Sequence, residues 1–227
     1  MSILTKIISG GPSRKSRLHD EKDNFVGLKK LFLHGPHATV TGLLRLSIGY
    51  RPELPWISYS AISELEKFLT NSSRVLEFGS GMSTIWYAKH VGEVCSVEDC
   101  KPWFDKVGEL IESKGIKNIN LYFATGSNEY SQFMPRGHAK FDLIMVDGNH
   151  RSECIAHAIN LLKPGGILYL DNSDRDTRIT TGDTRLAEEL ALQFAREQHA
   201  QVTYFTDFAP TQFFVQQGLM IKLPTHA

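Results

Sequence analysis

The sequence predicts an α/β protein. Its core is a seven-stranded, mostly parallel sheet with helices on both faces, an antiparallel strand at the C-terminal end and a helical extension in front. Three observations predict this. From residue 56 onward, short apolar runs alternate with segments of helical periodicity, the pattern of parallel strands joined by crossover helices. The first run, Arg74-Val75-Leu76-Glu77-Phe78, passes directly into a glycine-rich turn. The last two runs have only a loop containing Pro210 between them, and so short a connection joins antiparallel strands but not parallel ones.

Residues 1–55 form the extension, read as a lid that packs over the mouth of the main domain. Gly10-Gly11-Pro12-Ser13 and His34-Gly35-Pro36-His37 are breaker clusters. Between them Phe25, Leu28, Leu31, Phe32 and Leu33 predict a short amphipathic helix that stops at the second cluster. His34 and His37 flank a turn and lack a third ligand for a metal clip. In the main domain, residues 56–227, a helix over 60–69 closes at Asn71-Ser72-Ser73 and leads into the strand over 74–78. A helix over 83–90, a strand over 93–97 and a helix over 102–114 with Gly115 as its stop follow. Strands over 119–124 and 141–146, a helix over 152–162, a strand over 166–170 and a helix over 184–198 continue the rhythm, and strands over 201–206 and 213–222 end it.

At 227 residues, the chain suffices for one such domain and its extension. Lys+Arg and Asp+Glu both total 25, so no bulk field favours nucleic acid or an anionic membrane, and neither is an expected partner. The basic run Arg14-Lys15-Ser16-Arg17 reads as a solvated tail. The expected partner is a small-molecule substrate, and a homodimer is allowed. Cys95, Cys100 and Cys154 have neither metal-ligand spacing nor the density of a disulfide framework, which fits a reducing compartment. The apolar pairs Ile3-Leu4 and Ile7-Ile8 are too short for a signal segment or a span, so the expected location is cytoplasmic.

The turn Gly79-Ser80-Gly81-Met82-Ser83-Thr84 lets backbone approach a ligand and aims helix N–H groups at it, although a tight strand–helix turn needs similar residues. Glu77 sits where packing alone would ask for an apolar residue, and a buried carboxylate needs a partner such as a cationic ligand. Glu98 stands about twenty residues on, at the tip of the second strand, where a ribose diol would lie. Val75 through Thr84 resembles motif I of the class I S-adenosylmethionine (SAM)-dependent methyltransferases, and Ser96-Val97-Glu98 followed by Trp103 is similar to their second cofactor motif. The resemblance covers about residues 55–222 and implies a Rossmann-like fold. It further implies cofactor contacts from Glu77, Gly79, Ser80, Gly81, Ser83, Thr84 and Asp147, a ribose contact from Glu98, and an adenine border at Thr125, Gly126 and Ser127.

The fourth strand delivers Asp147-Gly148-Asn149-His150-Arg151 to the sheet's carboxyl edge, and the fifth delivers Asp171-Asn172. If these strands are neighbours, Asp147, Asp171 and Asn172 offer hard oxygen ligands suited to Mg²⁺. This arrangement resembles the catechol-type and related bacterial O-methyltransferases, in which a divalent metal lowers the pKa of the acceptor hydroxyl. The resemblance implies a small-molecule O-methyltransferase. His150 stands where the catechol enzymes carry a lysine and is a candidate general base beside Asp147; the alternative is that both aspartates only hold loops. Arg151 and Arg175 either hold an anionic substrate or form surface ion pairs, and Trp56, Tyr59 and Trp103 line a pocket or pack the core. An NAD-dependent oxidoreductase would want a third glycine at Thr84, and base-modifying enzymes a different fourth-strand motif. A non-catalytic SAM-binding scaffold stays open.

Overall fold

The computed structural model describes residues 13–135, 140–179 and 181–225. Helix α1 (Leu28–Ile48) precedes helix α2 (Tyr59–Phe68), and the sheet then begins with β1 (Arg74–Phe78). There follow α3 (Met82–His90), β2 (Glu93–Glu98), α4 (Lys101–Ser113), β3 (Ile119–Phe123), a short α5 (Ser127–Ser131) and β4 (Phe141–Val146). Helix α6 (Arg151–Ala158) runs through a 3₁₀ turn into β5 (Leu162–Leu170), and α7 (Asp183–Glu197), β6 (Gln201–Phe208) and β7 (Val215–Lys222) complete the chain.

The seven strands lie in the order β3-β2-β1-β4-β5-β7-β6. β1 to β5 pair in parallel, and β7 runs antiparallel between β5 and β6. The α/β class, strand number and single antiparallel strand are those the sequence predicts. Alternation along each strand fills two cores. Leu76 and Phe78 of β1 join Ile144 and Val146 of β4 on the face covered by α6 and α7. Val75, Leu143 and Met145 face α2 and α3 through Leu65, Trp86 and Tyr87. β1 is the switch point, because the chain steps one way to β2 and β3 and then returns to lay β4 on its other side. The loops after β1 and β4 therefore part and leave a crevice at the sheet's carboxyl edge.

Helix α1 corrects the sequence reading, which ended it at the His34–His37 breakers. Pro36 lies inside the helix, which runs on to Ile48. Its inner side is built of Gly35, Ala38 and Gly42, small enough to lie close on Phe208 and Phe213, and His34 Nδ1 meets Asp207 Oδ2 at 2.7 Å. These tertiary contacts offset the hydrogen bond that proline removes. The strand expected from residue 166 begins at Leu162, and α5, too short to show a period, was not expected.

Candidate functional site

The crevice is a cleft of about 500 Å³ of empty volume including its mouth, lined by Gly79 through Ser83, Asp147, Trp56 and Trp103. Two glycines build its floor for different reasons. Gly79 has φ 97°, and a Cβ there would stand 2.9 Å from the backbone of Gly148. Gly148 in turn leaves room for the Tyr130 hydroxyl, so the loops after β1 and β4 pack backbone on backbone. Gly81 is extended, with φ 178°, and a Cβ would meet only Ser83 Oγ, at 3.6 Å. Neither strain nor packing demands glycine at Gly81; its missing side chain keeps the cleft open in front of helix α3, the cradle a bound nucleoside cofactor requires.

Glu77 is fully buried beneath this loop. Oε1 accepts from the Ser83 hydroxyl at 2.5 Å, and Oε2 from Thr84 and Ser96 at 2.5 and 2.7 Å. Burial pushes its pKa up to about 7, against the lowering effect of the three hydroxyls. The partner expected in a cationic ligand is thus supplied by the chain itself, and Glu77 shapes the loop from below. Thr84 Oγ1 also accepts from the Gly81 N–H at 2.9 Å, locking the turn.

Glu98 is likewise committed to the loop. Its Oε2 accepts from the Ser80 N–H and hydroxyl at 3.0 and 3.1 Å, and its Oε1 from the Asp99 and Cys100 N–H groups at 3.1 and 2.9 Å. It stands at the β2 tip, as expected for a ribose contact. Trp103 Nε1 donates to the Ser80 carbonyl at 2.6 Å, turning the indole into a cleft wall. Thr125 donates through its N–H and hydroxyl to Glu129 Oε2 at 2.8 and 2.6 Å, closing the start of α5. With Gly126 and Ser127 it lies at the end of β3, outside the residues that line the cleft.

On the opposite wall Asp147 and Asp171 come together, because β4 and β5 are neighbours. The two carboxyls lie close enough for each to shift the other's proton affinity. Burial, and then the charge of Asp147, holds Asp171 well above the usual carboxylate range. Asp147 is also raised, chiefly because its carboxyl is densely surrounded, and the Arg151 charge opposes the shift. A third of the Asp147 side chain stays open to the cleft.

Arg151 is the residue that sequence reading undervalued. Far from lying at the surface, its side chain is 7% exposed and fills the space among the acids. Nη1 donates to the Asp171 carbonyl at 2.7 Å, Nε to the Gly148 carbonyl at 2.9 Å and Nη2 to the Asp147 carbonyl at 3.3 Å. Nη2 also lies 3.5 Å from Asn172 Oδ1 and from Asp147 Oδ1. Its only sequence signal was the spacing of four from Asp147. A divalent ion held by Asp147, Asp171 and Asn172 would have to displace this guanidinium, which already lies against two of the three would-be ligands. The residues therefore do not fit the Mg²⁺ expected there. Among the described residues, no group of three or more His, Cys, Asp or Glu could hold a metal ion.

His150 takes the left-handed turn that starts α6, with φ 50°. Its ring lies 6.3 Å from that of Tyr130, and it is not among the residues lining the cleft. Trp56 and Trp103 do line it, whereas the Tyr59 ring packs tilted against His34 and edge-on to His37. Arg175 is exposed.

The strand order, with its loop after β1 and its reversed seventh strand, is a Rossmann-like α/β arrangement. Residues 76–173 match the model of a methyltransferase domain family, a stretch that contains both walls of the cleft except Trp56. An O-methyltransferase from Bacillus cereus in complex with SAH superposes with a TM-score of 0.62 at 18% identity, over 83% of this chain and 90% of that one. Cofactor-bound Rv0187 from MTB gives 0.58 at 22% identity over 83% and 97%. The O-methyltransferase TomG from Streptomyces achromogenes, in complex with SAM, gives 0.54 at 17% over 83% and 80%. No curated protein sequence matches the chain. Residues 76–173 are thus similar to a methyltransferase domain, and the solved structures share the chain's fold.

Proposed function

We propose that this protein is a SAM-dependent methyltransferase that moves a methyl group to a hydroxyl oxygen of a small molecule, with no metal and with Asp147 as the base. The observation that carries the reading is the cleft itself: an open cradle at Gly81 and the Asp147 carboxylate, whose proton affinity is raised, line the same space. SAM, when bound, supplies an electrophilic methyl group. Trp56 and Trp103 wall off water, and the Gly79–Ser83 backbone holds the cofactor at the N-terminus of α3. Asp147 accepts the acceptor's hydroxyl proton, and its raised pKa brings it nearer the operating pH than an ordinary aspartate. Arg151 holds that carboxylate in position by its charge, with Nη2 3.5 Å from Asp147 Oδ1. Binding in the correct orientation supplies much of the rate.

Two of the three superposed structures described above are named as O-methyltransferases, which supports oxygen as the acceptor atom. The test is titration calorimetry with SAM, SAH and NAD, followed by transfer of labelled methyl to a panel of hydroxyl acceptors. Heat with SAM and SAH, none with NAD, and label on oxygen are expected. Heat with NAD alone would overturn the cofactor reading. Tight SAM binding with no acceptor labelled would point to a SAM-binding scaffold.

A further inference from the structure

Two tryptophans, Trp56 and Trp103, help to line the cleft, and one arginine stands against both. Arg51 lies in the segment between α1 and α2. Gly49, in the left-handed region with φ 69°, ends α1, and Pro52 restricts Arg51 before it to extended backbone. The segment is then tied to the domain. Pro52, Pro55 and Ile57 are buried, Ser58 Oγ donates to the Phe205 carbonyl at 2.6 Å, and Gln216 Nε2 donates to the Trp56 carbonyl at 3.1 Å. Gln216 Nε2 also lies 3.4 Å from Asp171 Oδ1, which sets Trp56 beside the acid pair.

So placed, the Arg51 guanidinium stands 5.3 Å from the ring centre of Trp56 and 5.3 Å from that of Trp103. Stacking on aromatic faces fixes a guanidinium and uses none of its N–H donors. Among the described residues the half-buried Arg51 side chain has no hydrogen bond and no ion pair. The acids next in sequence to Arg51 and to Trp103 have partners of their own. Glu53 pairs with Lys89 and Lys114, Asp105 pairs with Lys101, and Asp99 accepts from the Asn149 amide. Arg45, 4.6 Å from the ring centre of Trp56, reaches Thr211 Oγ1 at 3.4 Å, whereas Arg51 keeps its donors unspent.

A guanidinium held in place with its fork free suits a planar anion, which a carboxylate supplies with two parallel hydrogen bonds. Charge says which bound molecule brings it. SAM carries one carboxylate against a sulfonium and an ammonium, so its binding adds positive charge beside Arg51 and Arg45. Arg175, exposed and without an ion pair among the described residues, adds a further cation, close enough to Asp147 for its charge to oppose that carboxyl's raised proton affinity. An anion on the acceptor balances these charges, and a neutral acceptor does not. We propose that Arg51 recognises the acceptor, and that the acceptor is a hydroxy acid whose carboxylate docks on Arg51 while its hydroxyl meets Asp147. The inference rests on the reading of the cleft as a methyl-transfer site and names its substrate class.

The test is titration of the SAH-loaded chain with lactate and para-hydroxybenzoate, and with their neutral counterparts propanediol and para-hydroxybenzyl alcohol. Tryptophan fluorescence reads it, because Arg51 lies against two of the chain's three tryptophans. A saturable change is expected with an acid, at least about tenfold tighter than with its neutral counterpart. Arg51→Gln should weaken binding of that acid at least about tenfold, and Arg51→Lys should restore part of it. Neither variant should move SAH affinity by more than about threefold. No saturable change with either acid, equal binding of acid and neutral counterpart, or full acid affinity in Arg51→Gln would overturn the proposal. So would a loss of SAH affinity in Arg51→Gln that decarboxylated SAH does not share, since the anion would then be the cofactor's own carboxylate. Failure of the methyl-transfer reading shows separately, as absence of heat when SAH is titrated into the unaltered chain.

Discussion

The two walls of the cleft each hold a carboxylate, and they stabilise it in opposite ways. Under the β1 loop Glu77 is surrounded by neutral donors, the hydroxyls of Ser83, Thr84 and Ser96. At the ends of β4 and β5, Asp147 stands beside a second acid, Asp171, and is held by a buried guanidinium. Neutral donors fix a backbone: each hydroxyl belongs to the loop or the next strand, so Glu77 pins the turn from which Gly81 presents its bare backbone. Charged partners tune a reactive group: Asp147 alone of these acids lines the cleft. One wall therefore shapes a binding surface, and the other adjusts proton affinity.

The difference is sharpest in Asp147→Asn, which keeps the shape and removes the base. The rate of transfer should fall by about 10² to 10⁴ with little change in SAM affinity. In the unaltered protein, activity should fall as pH drops through a pKa above the ordinary aspartate range, because the base must be ionised and burial raises that pKa. A rate–pH profile checks the sign. A flat acidic limb, or an Asn variant of full activity, would move the base elsewhere.

Arg151→Met removes the cation but keeps the bulk. It strands the carbonyls of Asp147, Gly148 and Asp171 without their donors and leaves the acid pair without its charge. A loss of about 3 to 5 kcal/mol is expected for breaking a buried charge arrangement, read from urea unfolding midpoints. An unchanged midpoint would mean that the guanidinium adds little and that the β4–β5 wall resembles the β1 wall after all.

The β1 wall was more legible in the sequence than the β4–β5 wall, for a physical reason. Alternation from Val75 to Phe78 and the glycines after it are local patterns, so the strand, the turn and the helix were all readable. Asp147, Asp171 and Asn172 were also correctly brought together, because topology makes β4 and β5 neighbours. What filled the space between them was not readable. Whether an arginine four residues past an aspartate points to solvent or folds back under its own loop depends on carbonyls supplied by two strands, and that is a tertiary fact. The same holds for α1, where Pro36 reads locally as a stop and only Phe208 and Phe213 explain why the helix goes on. It holds too for Glu77, whose third hydroxyl comes from Ser96 on another strand.

The two glycines separate folding from binding within the β1 wall. Gly79→Ala imposes a Cβ at positive φ and within 2.9 Å of Gly148, and should cost about 1 to 3 kcal/mol of stability. Gly81→Val adds a side chain where only Ser83 Oγ is near, so its thermal midpoint should hold while SAM affinity falls at least about tenfold. Calorimetry on both variants reads the two effects. If Gly81→Val bound SAM normally, the cradle would not be where the cofactor lies.

The smallest expected effect is none at all, and it decides what the β4–β5 wall is. A metal-assisted enzyme loses its reaction when a chelator takes the ion, because the ion ionises the acceptor hydroxyl. Here that position already holds a cation that cannot dissociate. The guanidinium is tied by Nε to Gly148 and by Nη1 to Asp171, with Nη2 shared among Asp147 and Asn172. Transfer assayed after dialysis against a chelator, and again with added Mg²⁺, should agree within about twofold. In Arg151→Ala the guanidinium is gone and Asp147, Asp171 and Asn172 are left facing a space that hard oxygen ligands suit. Mg²⁺ should then stabilise the variant against urea while leaving the unaltered protein's midpoint unmoved. Chelator-sensitive activity in the unaltered protein would mean that Arg151 yields its place to an ion, and the two walls would then differ in what they bind more than in how they hold their acids.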